Sequence, residues 1–358
     1  MAGGTGSRFW PLCDPDHAKQ FIDLMGTGET MLQSTFRHYS TVCAKENIII
    51  VTTDSMKEYV AKQLPGLKPY QVLCEPQRRN TAPCIAYAAA IIRDINPHAN
   101  VVVAPSDHAI FGEKEFRQNL GNAIDIVDQH EWIVTLGAQP TNPNTKYGYL
   151  QFNLAPAVDS LKELHKVITF TEKPPVEMAA QFISSGEFLW NSGIFVWNLS
   201  TLQNALDNYL PQLAKVFGDV HFDTPQHRIR NIYQSIDPIS IDYGIMEKAE
   251  NVYCLKASFG WSDVETWDSL YNVLPKDSSG NAAAGNETLF YNSRGTLVHL
   301  PANKTAVVNE LNDYLVVEHD NVLLICPRGN EDLLIKFASE LAVKEMAGDS
   351  LRQLTKFE

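Results

Sequence analysis

Apolar residues recur at helical spacing in several segments of the first part of the chain, and short continuous apolar runs lie between these segments. The helical segments cover residues 30–43, 55–64, 82–92 and 116–127, with Ser55 as a candidate N-cap. The apolar runs cover residues 47–52, 70–74, 100–104 and 132–136. Because helices that alternate with short buried strands are typical of βαβ units, this pattern predicts an α/β fold with a parallel sheet.

The alternation stops after residue 136. A turn-rich loop at 140–143 leads into two or three β-type runs, including 167–171, which predict a β-rich insertion over the sheet. Beyond it, the pattern predicts helices at 199–210 and 225–234, a capped helix start at 240–248 and a strand at 252–257.

The last part of the chain has a different pattern. Residues 274–285 are polar and small, as in a linker. After this segment, short β-type runs separated by turns continue up to residue 326. Regular short strands of this kind predict a small β-solenoid or sandwich, closed by a helix at about 331–346. The predicted organisation is therefore a large α/β domain at 1–273, a linker at 274–286 and a C-terminal domain at 287–358.

Composition sets further limits. The chain has 358 residues, of which 44% are hydrophobic, so it can bury a large core. Its net charge of −13 argues against nucleic acid or an anionic membrane as a partner, because both are bound mainly through many lysines and arginines. No apolar run approaches 18 residues and no leader opens the chain, so we expect a cytoplasmic protein.

Six cysteines are scattered without C-x-x-C spacing, which disfavours a zinc site and a disulfide framework. We expect most of them to be small buried apolar residues. Cys13 is the one that we expect to be open to oxidants, because it lies next to a glycine-rich loop.

That loop opens the chain. Gly3, Gly4 and Gly6 let the backbone turn tightly and bring N–H groups close to an anion, and Arg8 and Lys19 add positive charge. The residues therefore predict a phosphate cradle. A dinucleotide fingerprint and a P-loop are excluded by the spacing, and a glycine-rich surface turn with an incidental arginine is the alternative.

Polar residues at the ends of predicted strands are the other candidates. Asp107 follows the run 100–104, where a sheet presents its ligands, and is a candidate for holding Mg²⁺ or for capping the next turn. Glu172 and Lys173 lie side by side before a proline and form either a solvated surface pair or part of a pocket. The loop 75–85 opens a helix, so it is either an ordinary capped turn or a contact for an anion or a base.

Several motifs together resemble one family. GGTGSRFWP followed by KQF is similar to the signature loop of the sugar-nucleotide pyrophosphorylases, and within them FWP with KQF points to the mannose-1-phosphate guanylyltransferases. EPQRRNTAP, FTEKP, NSGIF, SIDYGIMEK and GWSDV follow in the family's order over nearly the whole chain. The resemblance implies a Rossmann-like, GT-A-like mixed sheet and a small C-terminal β-helix-like domain.

The resemblance also implies roles. It assigns pyrophosphate and phosphate contacts to the catalytic residues Arg8, Lys19 and Lys173, and Mg²⁺ to Asp107 and Asp263. It assigns nucleotide binding to Gly3, Gly4, Thr5, Gly6, Glu75, Arg78, Asn80, Thr81 and Pro83. It assigns the sugar phosphate to Gly148, Glu172, Lys173 and Asn191, and it makes residues 240–248 a wall of the sugar site with a mainly structural task.

The implied reaction joins GTP and mannose 1-phosphate with Mg²⁺ as cofactor, in a homodimer by analogy with related enzymes. The sequence departs from the family at Cys13, Ala18 and Glu265, where serine, proline and glycine are usual. A strand normally precedes the glycine loop, so either the chain starts further upstream or the loop lacks its first strand.

Three alternatives stay open. The first is the same chemistry with another base or sugar, such as uridylyl transfer to glucose 1-phosphate. The second is a paralogue that senses a sugar nucleotide without turning it over. The third is a purely structural β-solenoid partner, which leaves the glycine loop unexplained.

Overall fold

The computed structural model describes residues 1–4, 7–14, 17–285, 287–330, 333–341 and 343. Its contacts divide the chain into two units. The first unit contains Met1–Gly3 and Thr35–Ser262, and the second contains Gly4–Ser34 and the chain from Asp263 onward. The boundaries predicted at 273 and 287 stay a prediction, although the segment predicted as a linker contains a strand, Ala282–Ala284.

The elements follow this order along the chain. The helices are α1 (Met31–Tyr39), α2 (Lys57–Gln63), α3 (Thr81–Ile95), α4 (Glu113–Gln129), α5 (Val176–Ser185), α6 (Leu199–Tyr209), α7 (Pro211–Gly218), α8 (Gln226–Ser235) and α9 (Trp267–Val273). The strands of the first unit are β1 (Ile50–Thr53), β2 (Val72–Glu75), β3 (Asn100–Val103), β4 (Ala109–Phe111), β5 (Ile133–Ala138), β6 (Gly148–Pro156), β7 (Leu164–Glu172), β8 (Phe188–Asn198), β9 (Val252–Lys256) and β10 (Gly260–Ser262). Those of the second are β11 (Ala282–Ala284), β12 (Thr288–Tyr291), β13 (Leu297–His299), β14 (Ala306–Asn309), β15 (Tyr314–His319) and β16 (Val322–Pro327).

A mixed sheet with the order β3-β8-β5-β9-β7-β6 organises the first unit. Its neighbours β5 and β9 are parallel, whereas β8 is antiparallel to β3, β5 and β6. The mixed sheet implied by the family resemblance is confirmed. The parallel sheet predicted from the alternation alone is wrong for the sheet as a whole, because β8 runs antiparallel to β3 and β5, and β7 runs antiparallel to β9. The parallel pair predicted from the first two runs is present as β1 and β2.

Both faces of this sheet are buried. Phe195 and Trp197 of β8 lie in a cluster with α3, α6, α7 and α8, whereas Ile194 and Val196 of the same strand lie in a cluster with α4. Side chains alternate between faces along a strand, so an apolar run without polar interruptions is what a sheet covered on both sides requires. This explains why β3 and β5 appear in the sequence as continuous apolar runs.

Residues Met1 to Gly3 take the place of a strand next to β1. The Ala2 amide donates to the Val51 carbonyl at 2.7 Å, and the Thr52 hydroxyl donates to the Ala2 carbonyl at 2.9 Å. On the other side, the Met1 ammonium donates to the Ala104 carbonyl at 2.8 Å, and the Ser106 amide donates to the Met1 carbonyl. The first residues are therefore held from both sides by the chain segments at the ends of β1 and β3.

The second unit carries the β-helix-like domain. β11, β13 and β15 pair in parallel on one side, and β12 pairs in parallel with β14 on the other. Strands that alternate between two parallel ladders in chain order form the rungs of a solenoid. This confirms the β-helix-like interpretation of the C-terminal pattern. Residues 333–341 are helical, and the rest of the predicted closing helix lies largely outside the described residues.

The local predictions have mixed outcomes. A 3-10 turn at Asp54–Met56 precedes α2, so Ser55 is not its N-cap. The capped helix start predicted at 240–248 is present as a π-type turn at Asp242–Met246, where the Ser240 hydroxyl accepts from the Tyr243 amide at 3.2 Å. Strand β10, which pairs with β4, is not among the predicted strands. Within the described residues, we find no helix long and apolar enough to cross a membrane.

A pair of glycine substitutions tests the packing of the central sheet. A Cβ at Gly137 of β5 would lie 2.8 Å from Leu189 Cδ1 and would also meet Cys254 Sγ. We expect Gly137→Ala to lower the free energy of unfolding by about 1–3 kcal/mol through overpacking. Gly121 in α4 has open space around it, so Gly121→Ala should raise that free energy by about 1 kcal/mol through helix propensity. Denaturant unfolding of both variants measures these changes. A Gly137→Ala protein that is as stable as wild type contradicts close packing around Gly137.

Candidate active site

The loop between β2 and α3 carries the predicted nucleotide-binding residues. Asn80 has a left-handed φ of 70°, and its side chain accepts from the Thr81 amide at 2.8 Å as the cap of α3. Arg78 and Asn80 are exposed, whereas Pro83 in the first turn is buried. The structure therefore contains the capped helix start that the sequence predicts, with exposed polar groups in front of it.

Glu75, the last residue of β2, is buried beneath this loop. The Tyr233 hydroxyl donates to its Oε1 at 3.0 Å. A Cβ at Gly3 would lie 3.8 Å from its Oε2, so this glycine leaves room beside the carboxyl. Burial raises the pKa of the Glu75 carboxyl to about 7, while the Tyr233 hydrogen bond, the Met1 ammonium and Arg78 each lower it. Two predicted nucleotide-binding residues, Gly3 and Glu75, thus lie side by side.

Backbone and side-chain bonds brace the same loop from α8 and the segment after it. Arg79 Nε donates to the Tyr233 carbonyl at 2.8 Å, and the Ile239 amide donates to the Arg79 carbonyl. The Thr81 hydroxyl accepts from the Ile241 amide at 2.8 Å. Thr81 therefore connects the nucleotide loop to the segment that begins the π-type turn at Asp242.

Asp107 lies in the loop after β3, with a side chain that is 29% exposed. The indole N–H of Trp261 donates to His108 Nδ1 at 3.1 Å. Because an indole nitrogen is only a donor, Nδ1 has to be the unprotonated nitrogen, and Nε2 carries the proton. His108 Nε2 lies 4.0 Å from Asp107 Oδ1, so the imidazole points its N–H side toward the carboxylate. His108 is therefore a neighbour of the candidate metal ligand Asp107.

Strand β8 brings its glycine against this loop. Gly193 has a left-handed φ of 71°, and a Cβ there would lie 3.4 Å from Pro105 Cγ and 3.9 Å from His108 Cε1. The Asp107 loop and the Asn191–Gly193 segment are thus adjacent in the first unit.

The predicted sugar-phosphate residues meet at the ends of β6 and β7. Gly148 pairs with Glu172 across the two strands, and a Cβ at position 148 would lie 2.6 Å from Glu172 Oε2. A larger residue at position 148 would require this carboxylate to move. Glu172 Oε1 lies 3.5 Å from Lys173 Nζ, and Lys173 itself has a left-handed φ of 49° and a side chain that is 61% exposed. Burial raises the pKa of Glu172, and Lys173 opposes that rise.

Asn191 joins this group from β8, but most of its hydrogen bonds are internal. Its Oδ1 accepts from the Thr135 hydroxyl at 3.1 Å and from the Gly193 amide at 3.3 Å. Its Nδ2 donates to Asp242 Oδ1 at 3.1 Å. The two donors to Oδ1 fix the orientation of the amide and so aim its nitrogen at Asp242.

In the second unit, the phosphate loop contains an ion pair that sequence reasoning missed. Arg8 pairs with Glu265, and the two side chains are 41% and 38% exposed. Glu265 stands where the family usually has glycine, so the departure supplies a carboxylate to the arginine that is predicted to bind phosphate. Phe9 packs edge-to-face on Trp267 at 5.1 Å, and the Trp267 indole donates to the Trp10 carbonyl at 3.3 Å.

Lys19 is buried in the same unit. Its Nζ donates to the Asp263 carbonyl at 2.7 Å and to the Val264 carbonyl at 3.1 Å. Val264 has a left-handed φ of 43°, which a β-branched residue rarely adopts, so these bonds help to hold a strained turn beside Asp263. The Asp263 carboxylate accepts from the Glu265 amide at 3.2 Å. Lys19 therefore shapes the segment that carries a candidate metal ligand.

Two departures from the family lie in the core. Cys13 and Ala18 are buried, at 2% and 0% exposure. Burial raises the pKa of the Cys13 thiol to about 12, which leaves little of the reactive thiolate at neutral pH. The expectation that Cys13 is open to oxidants is wrong.

The structure places the candidates in separate groups. In the first unit, Gly3 lies beside Glu75. In the same unit, Gly148 lies with Glu172, Lys173 and Asn191. The second unit contains Gly4, Arg8, Lys19 and Asp263. The Gly4 carbonyl accepts from the Gln20 side chain at 3.1 Å, and Thr5 and Gly6 lie outside the described residues. In the described part of the chain, no group of three or more His, Cys, Asp or Glu side chains is placed to hold a metal ion, so the two-carboxylate site stays a prediction.

Sequence reasoning missed Tyr233 and Asp242. Tyr233 lies within a helix predicted only as a packing element, and the sequence contains no signal of its bond to Glu75. Asp242 lies in the SIDYGIMEK motif, to which the resemblance assigns a mainly structural task, although an acidic residue in a family motif is a usable signal.

Comparisons with known proteins show which family the chain resembles in sequence and in fold. The profile of the nucleotidyl transferase family matches residues 1–280. A mannose-1-phosphate guanylyltransferase from Escherichia coli is 31% identical over 337 residues, which are 92% of this chain and 72% of that protein. The xanthan biosynthesis protein XanB of Xanthomonas campestris pv. campestris is 33% identical over 333 residues, which are 89% of this chain and 69% of that protein. A crystal structure described as mannose-1-phosphate geranyltransferase from Thermus thermophilus has a TM-score of 0.85 at 25% identity and covers 96% of this chain and 98% of that chain.

The raised pKa of Glu75 predicts a pH-dependent stability. The folded carboxyl binds its proton more tightly than the unfolded one, whose pKa is near 4.5, so its favourable contribution is complete at low pH and is lost as the pH rises to about 7. Glu75→Gln removes this titration and keeps an acceptor for Tyr233. Between pH 4.5 and pH 8, wild type should lose about 3 kcal/mol of unfolding free energy relative to Glu75→Gln.

Denaturant unfolding across this pH range provides the measurement. Glu58→Gln on the exposed side of α2 is the control and should keep a constant difference from wild type. A constant difference for Glu75→Gln as well contradicts the buried-carboxyl account.

Proposed function

Because the chain belongs to the nucleotidyl transferase family, we propose that it transfers GMP from GTP to α-D-mannose 1-phosphate, giving GDP-mannose and pyrophosphate. The observation that carries this proposal is the likeness to a mannose-1-phosphate guanylyltransferase over 92% of the chain. The convergence of Gly148, Glu172, Lys173 and Asn191 supports it, because these residues combine hydroxyl-binding groups with a cation for a phosphate.

The chemistry requires no protein nucleophile. An oxygen of the sugar phosphate forms a bond to the α-phosphorus of GTP, the bond from that phosphorus to the bridging oxygen of the β-phosphate breaks, and pyrophosphate leaves on the opposite side. A phosphate dianion is already a competent nucleophile, so no serine, cysteine or histidine base is needed. Catalysis then comes from positioning and from neutralising negative charge.

The proposal gives the chain's cations distinct tasks. Lys173, exposed at the end of β7, would hold the incoming phosphate, while Arg8 and Lys19 would stabilise the leaving pyrophosphate. Gly3, Gly4, Thr5 and Gly6 would let the phosphates approach the backbone. The exposed groups of the capped α3 loop, Arg78 and Asn80, together with Glu75, Thr81 and Pro83, would hold the base and ribose.

A divalent metal fits the donors on this chain. Asp107 and Asp263 are the proposed ligands of Mg²⁺, since carboxylate oxygens are the donors that this ion prefers. The Asp107 carboxylate, in the loop after β3, is partly exposed and so is accessible to such an ion. His108 beside it offers nitrogen atoms, whereas Mg²⁺ prefers oxygen ligands. When bound, Mg²⁺ would neutralise charge on the nucleotide phosphates.

We further propose a homodimer in the cytoplasm. The same transfer with another base or sugar 1-phosphate is the nearest alternative, because phosphate chemistry alone does not select the base. A protein that senses a sugar nucleotide without turnover is the second alternative. The Arg8–Glu265 ion pair favours it, because Glu265 occupies the arginine that is proposed to bind phosphate.

The defining experiment measures pyrophosphate release with Mg²⁺ over a grid of GTP, ATP, UTP and dTTP against mannose, glucose and N-acetylglucosamine 1-phosphates. Turnover with GTP and mannose 1-phosphate, well above every other pair, is the expected result. A preference for another pair replaces the assigned substrates, and no release by folded protein rejects the transferase proposal in favour of sensing.

Removal of the Asp107 carboxylate tests the metal proposal. We expect Asp107→Ala to lower kcat for GDP-mannose formation by about 100-fold or more without unfolding the protein, because the negative charge of the phosphates then lacks its counter-ion. Steady-state kinetics at several Mg²⁺ concentrations measure this. Asp219→Ala, at a side chain that is 85% exposed, is the control and should behave as wild type. Near-normal turnover of Asp107→Ala rejects Asp107 as a metal ligand.

The Arg8–Glu265 pair predicts a competition. A nucleotide triphosphate has to displace the Glu265 carboxylate from Arg8, and exposed ion pairs are worth at most about 1 kcal/mol. Glu265→Gln should therefore lower the KM for GTP about two- to fivefold. The matched control is Glu113→Gln, which breaks the similarly exposed Arg37–Glu113 pair at 3.1 Å and should leave KM unchanged. An unchanged KM in Glu265→Gln shows that Glu265 does not compete for Arg8.

A further inference from the structure

We propose that Asp242 binds a sugar hydroxyl of the substrate and, with Glu172, selects the hexose; this rests on the proposed function. The resemblance makes the motif that contains Asp242 a wall of the sugar site with a mainly structural task, and it assigns no ligand contact to Asp242. The structure places its carboxylate in the same group as three predicted sugar-phosphate residues, Gly148, Glu172 and Asn191.

The first argument is the way in which Asp242 is held. Asn191 Nδ2 donates to Asp242 Oδ1, and the orientation of Asn191 is set by the Thr135 hydroxyl and the Gly193 amide. Thr135 is fully buried in β5. A chain of hydrogen bonds from the core of the sheet thus fixes one carboxylate oxygen of Asp242, which is how a binding group is pre-organised.

The second argument is that the internal hydrogen bonds of Asn191 use most of its hydrogen-bonding capacity. Its acceptor receives two internal donors and one N–H is given to Asp242, so the amide has little capacity left to bind sugar hydroxyls. Asn191 is therefore a positioning residue, and the carboxylate that it holds has the acceptor capacity that hydroxyl donors need.

The third argument is the nearness of a second carboxylate. Glu172 and Asn191, which holds Asp242, both lie beside Gly148. Burial raises the pKa of Asp242 to about 6, and the charge of Glu172 adds to that rise. Glu247 adds to that rise, and Lys173 lies beside Glu172 at 3.5 Å. Two carboxylates that repel each other gain when hydroxyl donors come between them. A hexose with several free hydroxyls is the class of ligand that supplies such donors.

The fourth argument is location. Ile241 donates to Thr81 of the nucleotide loop, and Asp242 follows it directly. The same short segment therefore contacts the nucleotide loop with one residue and the sugar-phosphate group with the next. A carboxylate at this point is placed to contact the sugar rather than the base.

The test combines one variant with modified substrates. Asp242→Asn keeps the shape of the side chain and removes the charged acceptor, so kcat/KM for mannose 1-phosphate should fall about 10- to 100-fold while the KM for GTP stays as in wild type. The 2-, 3-, 4- and 6-deoxymannose 1-phosphates are then compared. For the analogue that lacks the contacted hydroxyl, wild type and Asp242→Asn should have equal kcat/KM.

Asp207→Asn is the matched control, because Asp207 also accepts a side-chain amide, from Gln203 at 3.1 Å, on the exposed surface of α6. It should leave all constants unchanged. If Asp242→Asn does not fold, Asp242→Glu keeps the charge, displaces the carboxylate by one methylene, and should show the same selective loss for mannose 1-phosphate.

Three results would overturn the proposal. One is an Asp242→Asn variant whose kcat/KM for mannose 1-phosphate equals that of wild type. Another is a loss of kcat/KM in Asp242→Asn that is equal for every deoxy analogue. The third is a rise in the KM for GTP that matches the loss of kcat/KM for mannose 1-phosphate. If wild type shows no turnover, calorimetric binding of mannose 1-phosphate separates the two proposals. Binding that Asp242→Asn weakens supports Asp242 although the transfer reaction fails, and no binding to wild type rejects both.

Discussion

Strand β8 is the constraint on which the first unit depends. It is antiparallel to β3, β5 and β6, and its side chains alternate between two buried clusters. Any shift of its register by one residue would exchange those faces, so packing specifies the register strongly. The same strand carries Asn191 and Gly193. The packing that specifies its register therefore also fixes the positions of these two residues beside the Asp107 loop.

Carboxylates in unusual surroundings are the second theme. Glu75 is buried with a hydroxyl partner, and Glu172 and Asp242 lie near each other at the end of the sheet. Each arrangement costs stability because it removes a charge from water or places like charges together. Such groups are concentrated where ligands bind, since the substrate can supply the missing hydrogen-bond donors and cations.

The sequence predicted the parts of this molecule that depend on local chemistry. The Asn80 cap, the strand that leads to Asp107 and the rungs after residue 287 follow from neighbouring residues and short periodicities. Asn191 and Asp242 are 51 positions apart, so their hydrogen bond depends on how β8 and the π-type turn pack. The strand β10 was missed for the same reason, because its apolar content is small and its pairing with the distant strand β4 decides its structure. The Arg8–Glu265 pair likewise needed the fold to bring together residues from the two ends of the sequence.

The amino group of Met1 has a consequence for the chemistry of the nucleotide loop. It is a cation held at Ala104, and its charge lowers the pKa of Glu75. In any form of the protein in which further residues precede Met1, this ammonium becomes a neutral amide with a single N–H. The chain would then keep one bond at most at this point and would lose a positive charge that acts on Glu75. The Glu75 carboxyl would become harder to ionise, so a change at the amino terminus reaches a carboxyl that is 74 positions away in the sequence.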